Sequence, residues 1–207
     1  SNGGTGATSI LTGIEGTGGE KAAWFWVGTS IPGEFYHQIP LPVEIAVDEV
    51  GTLYFRIWQA AKDLNWYVMI SKVAAGEEPD SIPIYENQAA ILRYNMAEPE
   101  GSLYARAGGS YLLPQPSFSP APDSWYEYWI ILDNAYDGEA QSDYAGYAIY
   151  RKGPTDTWPK LMAWGTDQTR TKLHMRNQAL ESLKAIVLLQ NRQFETNIWL
   201  IDDIYMT

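Results

Sequence analysis

The stretch "GTLYFRIWQ", residues 51–59, alternates between apolar side chains and side chains with a polar end. The apolar set is Leu53, Phe55 and Ile57. The other set is Tyr54, Arg56 and Trp58. Successive side chains of a β-strand point to opposite faces, so this period of two predicts a strand with one face in a core.

Short segments of the same kind recur along the chain, with Gly, Pro, Asn and Asp between them. The predicted strands are 21–28, 42–50, 51–59, 64–71, 90–96, 102–109, 124–134, 144–153, 184–190 and 197–207. Many short strands divided by turn residues favour an all-β fold over an α/β fold. We expect an antiparallel β-sandwich of two stacked sheets, a jelly roll.

Two segments allow a second interpretation. Residues 180–187 place Leu180, Leu183, Ile186 and Val187 at helical spacing, but the later part is β-branched, so 184–190 is predicted as a strand and 177–182 is left open. The Pro-rich stretch 112–124 has the composition of a linker. The strand pattern is the same on both sides of it, so we predict one jelly-roll domain over 1–207, with 112–124 as an internal loop and 1–20 as a Gly-rich N-terminal segment.

Charge and composition exclude several classes of function. The net charge is −11, from 25 acidic and 14 basic residues, and no cluster of Lys and Arg offers a nucleic-acid footprint. No apolar run is long enough to span a bilayer, and the chain has no cysteine for a disulfide or a thiolate metal site. We therefore expect no nucleic-acid partner and no membrane insertion.

The order "GTLYFRIW … LNWYVMIS … LYARAGGSYLL … SWYEYWIILDN … LIDDIYM" resembles the concanavalin A-like, laminin-G-like jelly-roll domains of bacterial extracellular proteins. The resemblance covers about residues 50–207. It implies two sheets, one of them concave, and a role similar to that of carbohydrate-binding modules. It also implies a secreted or cell-surface location, and the chain could be one domain of a larger extracellular protein. The same fold is found in polysaccharide lyases and glycoside hydrolases, so it leaves the function open.

Two adjacent carboxylates, Asp202 and Asp203, interrupt the apolar closing segment. Neighbours in a strand point to opposite faces, so one of them should turn inward, which is costly for an unpaired charge. The resemblance implies a structural calcium held by the final-strand Asp, and Glu15 lies in a Gly-rich stretch at the N-terminal end. The predicted calcium ligands are Glu15, Asp202 and Asp203. In the alternative, one Asp faces solvent and the other accepts backbone N–H bonds.

Other acidic and imidazole groups are interpreted as surface residues. The loop with Asp133, Asp137, Glu139 and Asp143 could bind a second cation, but a solvated loop is favoured. The acids Glu44, Asp48 and Glu49 lack the strand spacing of a glycosidase pair. The histidines His37 and His174 are interpreted as surface or packed residues, with His37 in a loop-like region.

The polar sides of the predicted strands share aromatic rings, amides and three arginines. The predicted ligand-binding residues are Tyr54, Arg56, Trp58, Tyr67, Arg93, Asn95, Tyr104 and Arg106, with Asn65 and Glu127 and either Trp125 or Trp129 beside them. Val68, Leu92 and Leu103 join the core set on the opposite side. Guanidinium groups bind carboxylate or sulfate in a bidentate manner, so this face suits an acidic polysaccharide. In the alternative, the arginines pair with Asp and Glu on an outer sheet.

We interpret the chain as a non-catalytic carbohydrate-binding domain that recognises a polysaccharide, acidic by these arginines, on a concave sheet. The first alternative is a polysaccharide lyase that uses Tyr or His with Arg on the same face. The second is a structural or adhesive surface module whose aromatic residues are core. A lyase should bring Tyr, His and Arg together in one groove, whereas a structural module should pair the arginines with acids.

Overall fold

The structure is a computed structural model of the full chain. It describes residues 7–12, 21–27, 34–62, 65–77, 85–95, 101–135, 145–165, 170–176, 181–191 and 197–207. Within these ranges no helix is both long and apolar enough to cross a bilayer.

The described residues form sixteen strands and one turn of 3-10 helix at Tyr85–Asn87. The first eight strands are β1 (Ala7–Thr12), β2 (Lys21–Val27), β3 (Glu34–Ile45), β4 (Val50–Gln59), β5 (Asn65–Ser71), β6 (Gln88–Asn95), β7 (Ser102–Ala107) and β8 (Ser110–Leu112). The others are β9 (Pro114–Gln115), β10 (Ser124–Asp133), β11 (Gly146–Lys152), β12 (Lys160–Leu161), β13 (Ala163–Trp164), β14 (Leu173–His174), β15 (Leu183–Asn191) and β16 (Asn197–Met206).

The strands form two large antiparallel sheets. Sheet A has the order β1-β2-β16-β4-β10-β11-β12, with β14 also paired to β11. Sheet B has the order β3-β15-β5-β6-β7-β8, and β9 pairs with β13 in a small third sheet. The prediction of an all-β sandwich of stacked antiparallel sheets is confirmed. The predicted strand at 184–190 is confirmed as well, because β15 spans Leu183–Asn191.

The main core lies between the two sheets and takes one side of each strand. Sheet A contributes Leu53, Phe55 and Ile57 from β4, and all three are buried, as the alternation predicts. Sheet B contributes Val68, Leu92 and Leu103, which are also buried. Each strand of this core presents its other side away from it, so the sandwich has two outer faces.

Large rings hold the centre of the core, and the indole N–H of Trp66 has a hydrogen-bond partner there. Trp66 of sheet B stacks on Trp199 of sheet A with ring centroids 5.9 Å apart. The indole N–H of Trp66 donates to the side-chain oxygen of Gln59 at 3.1 Å, and the amide of Gln59 donates to the carbonyl of Pro120 at 3.3 Å. A buried indole needs such a partner, because an unpaired buried donor costs about 1–3 kcal/mol.

The predicted strand at 42–50 is confirmed for residues 42–45 and wrong beyond them, because β3 ends at Ile45 and β4 begins at Val50. The turn between them has Asp48 at a positive φ of 67° and the carboxylate of Glu49 accepting from the N–H of Ala46 at 2.9 Å. The buried amide of Asn134 donates to the carbonyls of Ile45 at 3.3 Å and Ala46 at 3.0 Å. A turn satisfied in this way outweighs the alternation of "PVEIAVDEV".

The Pro-rich stretch 112–124 connects the two sheets, running from β8 of sheet B to the start of β10 in sheet A. The carbonyl of Leu113 accepts from Gly165 at 3.0 Å, and the carbonyl of Phe118 accepts from Leu103 at 3.1 Å. Together with the pairing of β9 to β13, these backbone hydrogen bonds tie the stretch to its surroundings.

Candidate functional site

The predicted ligand-binding residues do not share one face. Strand β4, with Tyr54, Arg56 and Trp58, belongs to sheet A. The strands that carry Tyr67, Arg93, Asn95, Tyr104 and Arg106 belong to sheet B. Both groups point away from the main core, so they lie on opposite outer faces. Alternation separates inside from outside within a strand, but it does not tell which sheet the strand joins.

The outer face of sheet B, the sheet B face below, has an apolar floor. The floor consists of Met69, Ile91, Val187 and Leu189, with Tyr67 beside them. Met69 and Ile91 are fully buried, although they point away from the main core. A second, smaller apolar cluster therefore lies under this face, separate from the one between the sheets.

Two arginines and two tyrosines alternate on the sheet B face. The guanidinium carbon of Arg93 lies 5.1 Å from the ring centre of Tyr67 and 5.3 Å from that of Tyr111. The guanidinium carbon of Arg106 lies 4.9 Å from the same Tyr111 ring. Tyr111 therefore contacts both cations. Ring faces carry negative quadrupole charge, which favours each of these contacts.

The hairpin between β7 and β8 fixes Arg106. Its Nε donates to the carbonyl of Gly108 at 3.0 Å, and its Nη2 donates to the carbonyl of Gly109 at 2.9 Å. Gly108 has a positive φ of 55°, as a two-residue hairpin loop requires. From sheet A, the hydroxyl of Tyr147 donates to the carbonyl of Arg106. These contacts hold the guanidinium in one orientation.

Arg93 keeps an unused donor. It is half-buried in the cross-strand row Tyr67–Arg93–Tyr104, and its Nε is buried with no hydrogen-bond partner in the described part of the chain. No carboxylate within the described ranges forms an ion pair with Arg93 or Arg106. The alternative that the arginines pair with acids therefore does not hold for these two.

Amide side chains flank the arginines on the same face. Asn65 pairs with Asn95, and Asn95 with Ser102, in the next cross-strand row. On β3, Gln38 lies opposite Val187, and its oxygen accepts from the N–H of Gly76 at 2.6 Å. The amide nitrogen of Gln38 is buried without a partner among the described residues.

On the outer face of sheet A, the sheet A face below, Arg56 is fully engaged. Its Nη2 and Nε lie 2.6 and 3.1 Å from Oδ2 of Asp202, and its Nε lies 3.0 Å from Oδ2 of Asp203. Its guanidinium carbon also lies 4.8 Å from the ring centre of Trp125. Burial alone would lower the pKa of Arg56, but the hydrogen bonds that it donates to Asp202 and the charges of both Asp residues raise it. The alternative of pairing with acids holds for this arginine.

The expectation that Asp202 and Asp203 point to opposite faces is wrong. The register of β16 against β4 shifts between Asp202 and Tyr205, and Asp203 has a positive φ of 51°. This β-bulge places two residues opposite one and brings both carboxylates to Arg56. Asp202 is only 2% exposed, so the cation beside it offsets the cost of burying its charge.

None of the other predicted acids and histidines that the structure describes forms an ion pair with Arg56, Arg93 or Arg106. Several of them fall outside the described residues. Glu15 falls outside the described ranges, as do Asp137, Glu139 and Asp143 of the acidic loop. Asp133 of that loop pairs with Lys172 at 2.7 Å.

The acids Glu44, Asp48 and Glu49 are exposed, as predicted, and so is His174 at β14. His37 lies in β3 rather than in a loop, and its side chain is outside the described part. Among the described residues, no group of three acids or histidines could hold a metal.

Sequence analysis missed Tyr111. The signal was the pair Gly108–Gly109, because a two-residue hairpin loop sets the partners on either side. It places Ala107 opposite Ser110 and Arg106 opposite Tyr111. Tyr111 could have been assigned to the face of Arg106 from this local pattern alone.

No family model matches this chain, and no curated protein matches its sequence. Its fold is similar to that of solved structures. One is the PL-14 alginate lyase from Aplysia kurodai, at a TM-score of 0.56 and 12% identity over 96% of this chain and 87% of that one. Another is the T. cruzi calreticulin globular domain, at a TM-score of 0.55 and 12% identity over 98% of this chain and 79% of that one. At such low identity the likeness concerns the fold alone.

Proposed function

We propose that this chain recognises an acidic polysaccharide on the sheet B face. The observation that carries the proposal is the pair Arg93 and Arg106, which alternate with tyrosine rings and have no carboxylate partner among the described residues. In a chain with a net charge of −11, two adjacent cations without acidic partners need a reason other than surface charge balance.

The geometry suits a carboxylate better than a diffuse charge. The rings of Tyr67 and Tyr111 lie near Arg93 and its Nε is buried, so its terminal N–H groups are the ones left for a ligand. A planar carboxylate accepts two parallel N–H bonds from such an edge, and each charge-assisted bond is shorter and stronger than a neutral one. Asn95 lies two residues from Arg93 on β6, so its amide is placed to contact a hydroxyl group of the same sugar. Gln38 lies three strands away on β3, about 14 Å across the sheet, and could contact only another sugar of the chain.

The overall charge limits how this binding works. At physiological ionic strength the Debye length is about 8 Å, so acidic groups farther than that from the bound polyanion repel it only weakly. The two arginines attract the polyanion where it contacts them. We expect affinity to come from contact rather than from long-range steering. The similarity of the fold to an alginate lyase is consistent with a polyuronate as ligand.

Affinity electrophoresis with alginate, polygalacturonate and neutral laminarin tests the proposal. We expect retardation by a polyuronate, and we expect Arg93→Ala and Arg106→Ala each to weaken it by roughly ten- to a hundredfold, the equivalent of one charge-assisted bond. Arg170→Ala is the matched control, because it removes an exposed cation outside both large sheets. Retardation unchanged in both sheet B variants, or equally lost in the control, would contradict the proposal.

A lyase is the second candidate, and the position of Tyr111 favours it. In a lyase, a base removes the proton on the carbon next to the uronate carboxylate, a C=C bond forms, and the C–O bond to the next sugar breaks. Arg93 could neutralise the carboxylate while the Tyr111 hydroxyl exchanges protons. New unsaturated ends in the same incubations, lost in Tyr111→Phe but with polymer still bound, would establish this activity; binding without them would establish a binding domain.

A calcium ion at Glu15, Asp202 and Asp203 remains a proposal. One carboxylate oxygen of Asp202 is buried without a hydrogen-bond partner among the described residues, since Arg56 contacts only the other oxygen. A hard cation such as calcium is coordinated by carboxylate oxygens of this kind, and it would add positive charge to that of Arg56.

A further inference from the structure

A row of four aromatic side chains crosses the sheet A face. The row runs from β16 through β4 and β10 to β11, and its members are Tyr205, Tyr54, Trp129 and Tyr150. Each ring stands on a different strand at matched register, so the four lie side by side on one surface. At about 4.8 Å between strands, the row is roughly 14 Å long.

Tyr54 contacts the ring on either side of it, and all four rings remain at least partly exposed. Tyr54 lies 4.9 Å from Trp129 and 5.8 Å from Tyr205, measured between ring centres, and the rings of Tyr54 and Tyr205 are nearly parallel at 19°. Tyr205 is 52% exposed, and the other three are half-buried. The hydroxyl of Tyr54 donates to Glu127 at 3.3 Å, which fixes its ring. The result is a platform of rings on one surface, in which Tyr54 and Tyr205 are nearly parallel and Trp129 is tilted by 49° against Tyr54.

Beside this platform lies a charged row whose members neutralise one another. The row is Asp202, Arg56, Glu127 and Lys152, in register across the same four strands. Arg56 pairs with Asp202 at 2.6 Å, and Lys152 pairs with Glu127 at 2.8 Å. No free cation of this row is left for a polyanion, but every member still presents polar atoms near the rings.

We propose that the aromatic row on the sheet A face is a second binding site, for a neutral polysaccharide chain. The C–H groups on the face of a sugar ring carry partial positive charge, and they pack on the negative face of an aromatic ring. A row of rings several strands wide matches an extended chain of several sugars. The paired charges beside it can exchange hydrogen bonds with hydroxyl groups, while offering no net attraction to an acidic chain. This site is independent of the sheet B face and goes beyond the function proposed for that face.

Titration with cellohexaose and mannohexaose, followed by tryptophan fluorescence and calorimetry, tests this site. We expect one of the two neutral hexamers to bind, and we expect Tyr205→Ala and Trp129→Leu each to weaken that binding roughly two- to tenfold, the value of one ring contact. Tyr205 lies at the exposed end of the row, so its replacement leaves the core intact. Trp158→Ala is the matched control, because Trp158 is 76% exposed and lies in the loop between β11 and β12.

Arg93→Ala separates this proposal from the one for sheet B, because it should leave the neutral hexamer's affinity unchanged while it weakens polyuronate binding. Absence of binding by both neutral hexamers would overturn the second site whatever happens at sheet B. Binding insensitive to Tyr205→Ala and Trp129→Leu would overturn it as well. So would sedimentation showing a dimer that Tyr205→Ala dissociates, since the row would then be an interface between two copies of this chain.

Discussion

The two outer faces of this sandwich both combine arginine with aromatic rings, yet they use the arginine differently. On sheet A, Arg56 contacts two carboxylates, one of them buried, and its charge is neutralised within the protein. On sheet B, Arg93 and Arg106 contact tyrosine rings, Arg106 also donates to two carbonyls, and no described carboxylate pairs with either. The same residue type therefore neutralises buried acid on one face and has no acidic partner among the described residues on the other. The difference lies in what each guanidinium faces.

The largest expected effect separates the arginines by stability. Arg56→Met keeps the aliphatic stem beside Trp125 but leaves Asp202 buried without its cation, so it should lower the free energy of unfolding by about 3–5 kcal/mol. Arg93→Met leaves no described acid unpaired and should stay within about 1 kcal/mol of wild type. Urea denaturation in the presence of EGTA measures both. Equal losses would mean that Arg93 is also a structural arginine.

Calcium would sharpen the comparison by adding a second cation to sheet A alone. At a calcium concentration one hundred times Kd, binding adds about 2.7 kcal/mol to the stability. For a chain of this size that raises Tm by roughly 5–10 °C. Thermal melts with calcium and with EGTA should show this shift for wild type and lose it for Asp202→Asn. If wild type shows no shift, Arg56 neutralises the two carboxylates without a metal.

Tyr147 links the two sheets, and removing its hydroxyl tests whether the sheet B face depends on sheet A. The hydroxyl lies 3.3 Å from the carbonyl of Ile91 and also donates to that of Arg106. Tyr147→Phe should cost about 1–2 kcal/mol and weaken polyuronate binding. Tyr128→Phe is the matched control, because its buried hydroxyl has no partner among the described residues. Equal stability losses in the two variants would contradict the role assigned to Tyr147.

The smallest expected effect is a pH dependence at the edge of sheet A. The hydrogen bond from Lys160, with a second from the N–H of Gly153, holds the pKa of Asp156 below its ordinary value of 3.8. A carboxyl with a depressed pKa contributes stability above its unfolded pKa and loses it as the pH falls through its folded pKa. Asp156→Asn should therefore melt below wild type at pH 7, and the gap should close below pH 4. A gap that persists at pH 2 would show that the ion pair is not its source.

Much of the candidate site could be predicted from the sequence, but not the division of its residues between the two sheets. Tyr67, Arg93 and Arg106 were assigned to one polar face by alternation, and they do lie on one face. Tyr54 and Arg56 were assigned to the same face, because nothing local distinguishes two strands that alternate alike. Pairing with β16 and β10 rather than with β5 is a long-range choice, made by the packing of complete strands.

The bulge at Asp203 shows the second limit. The run "LIDDIYM" predicts carboxylates on opposite faces, and only the register against β4 shows that both reach Arg56. A bulge depends on the side chain that lies opposite it on the partner strand. Here that side chain is Arg56, whose guanidinium can bind two acids.

By itself, the sequence determined the all-β class and the inner and outer sides of strands such as β4. These follow from a period of two and from turn chemistry, which act between neighbours along the chain. Only the tertiary structure decided which strands share a sheet, and with that which arginine meets acids and which meets tyrosines. A charged side chain is neutralised by whatever lies within a few ångströms in space, and that distance has no counterpart in sequence separation.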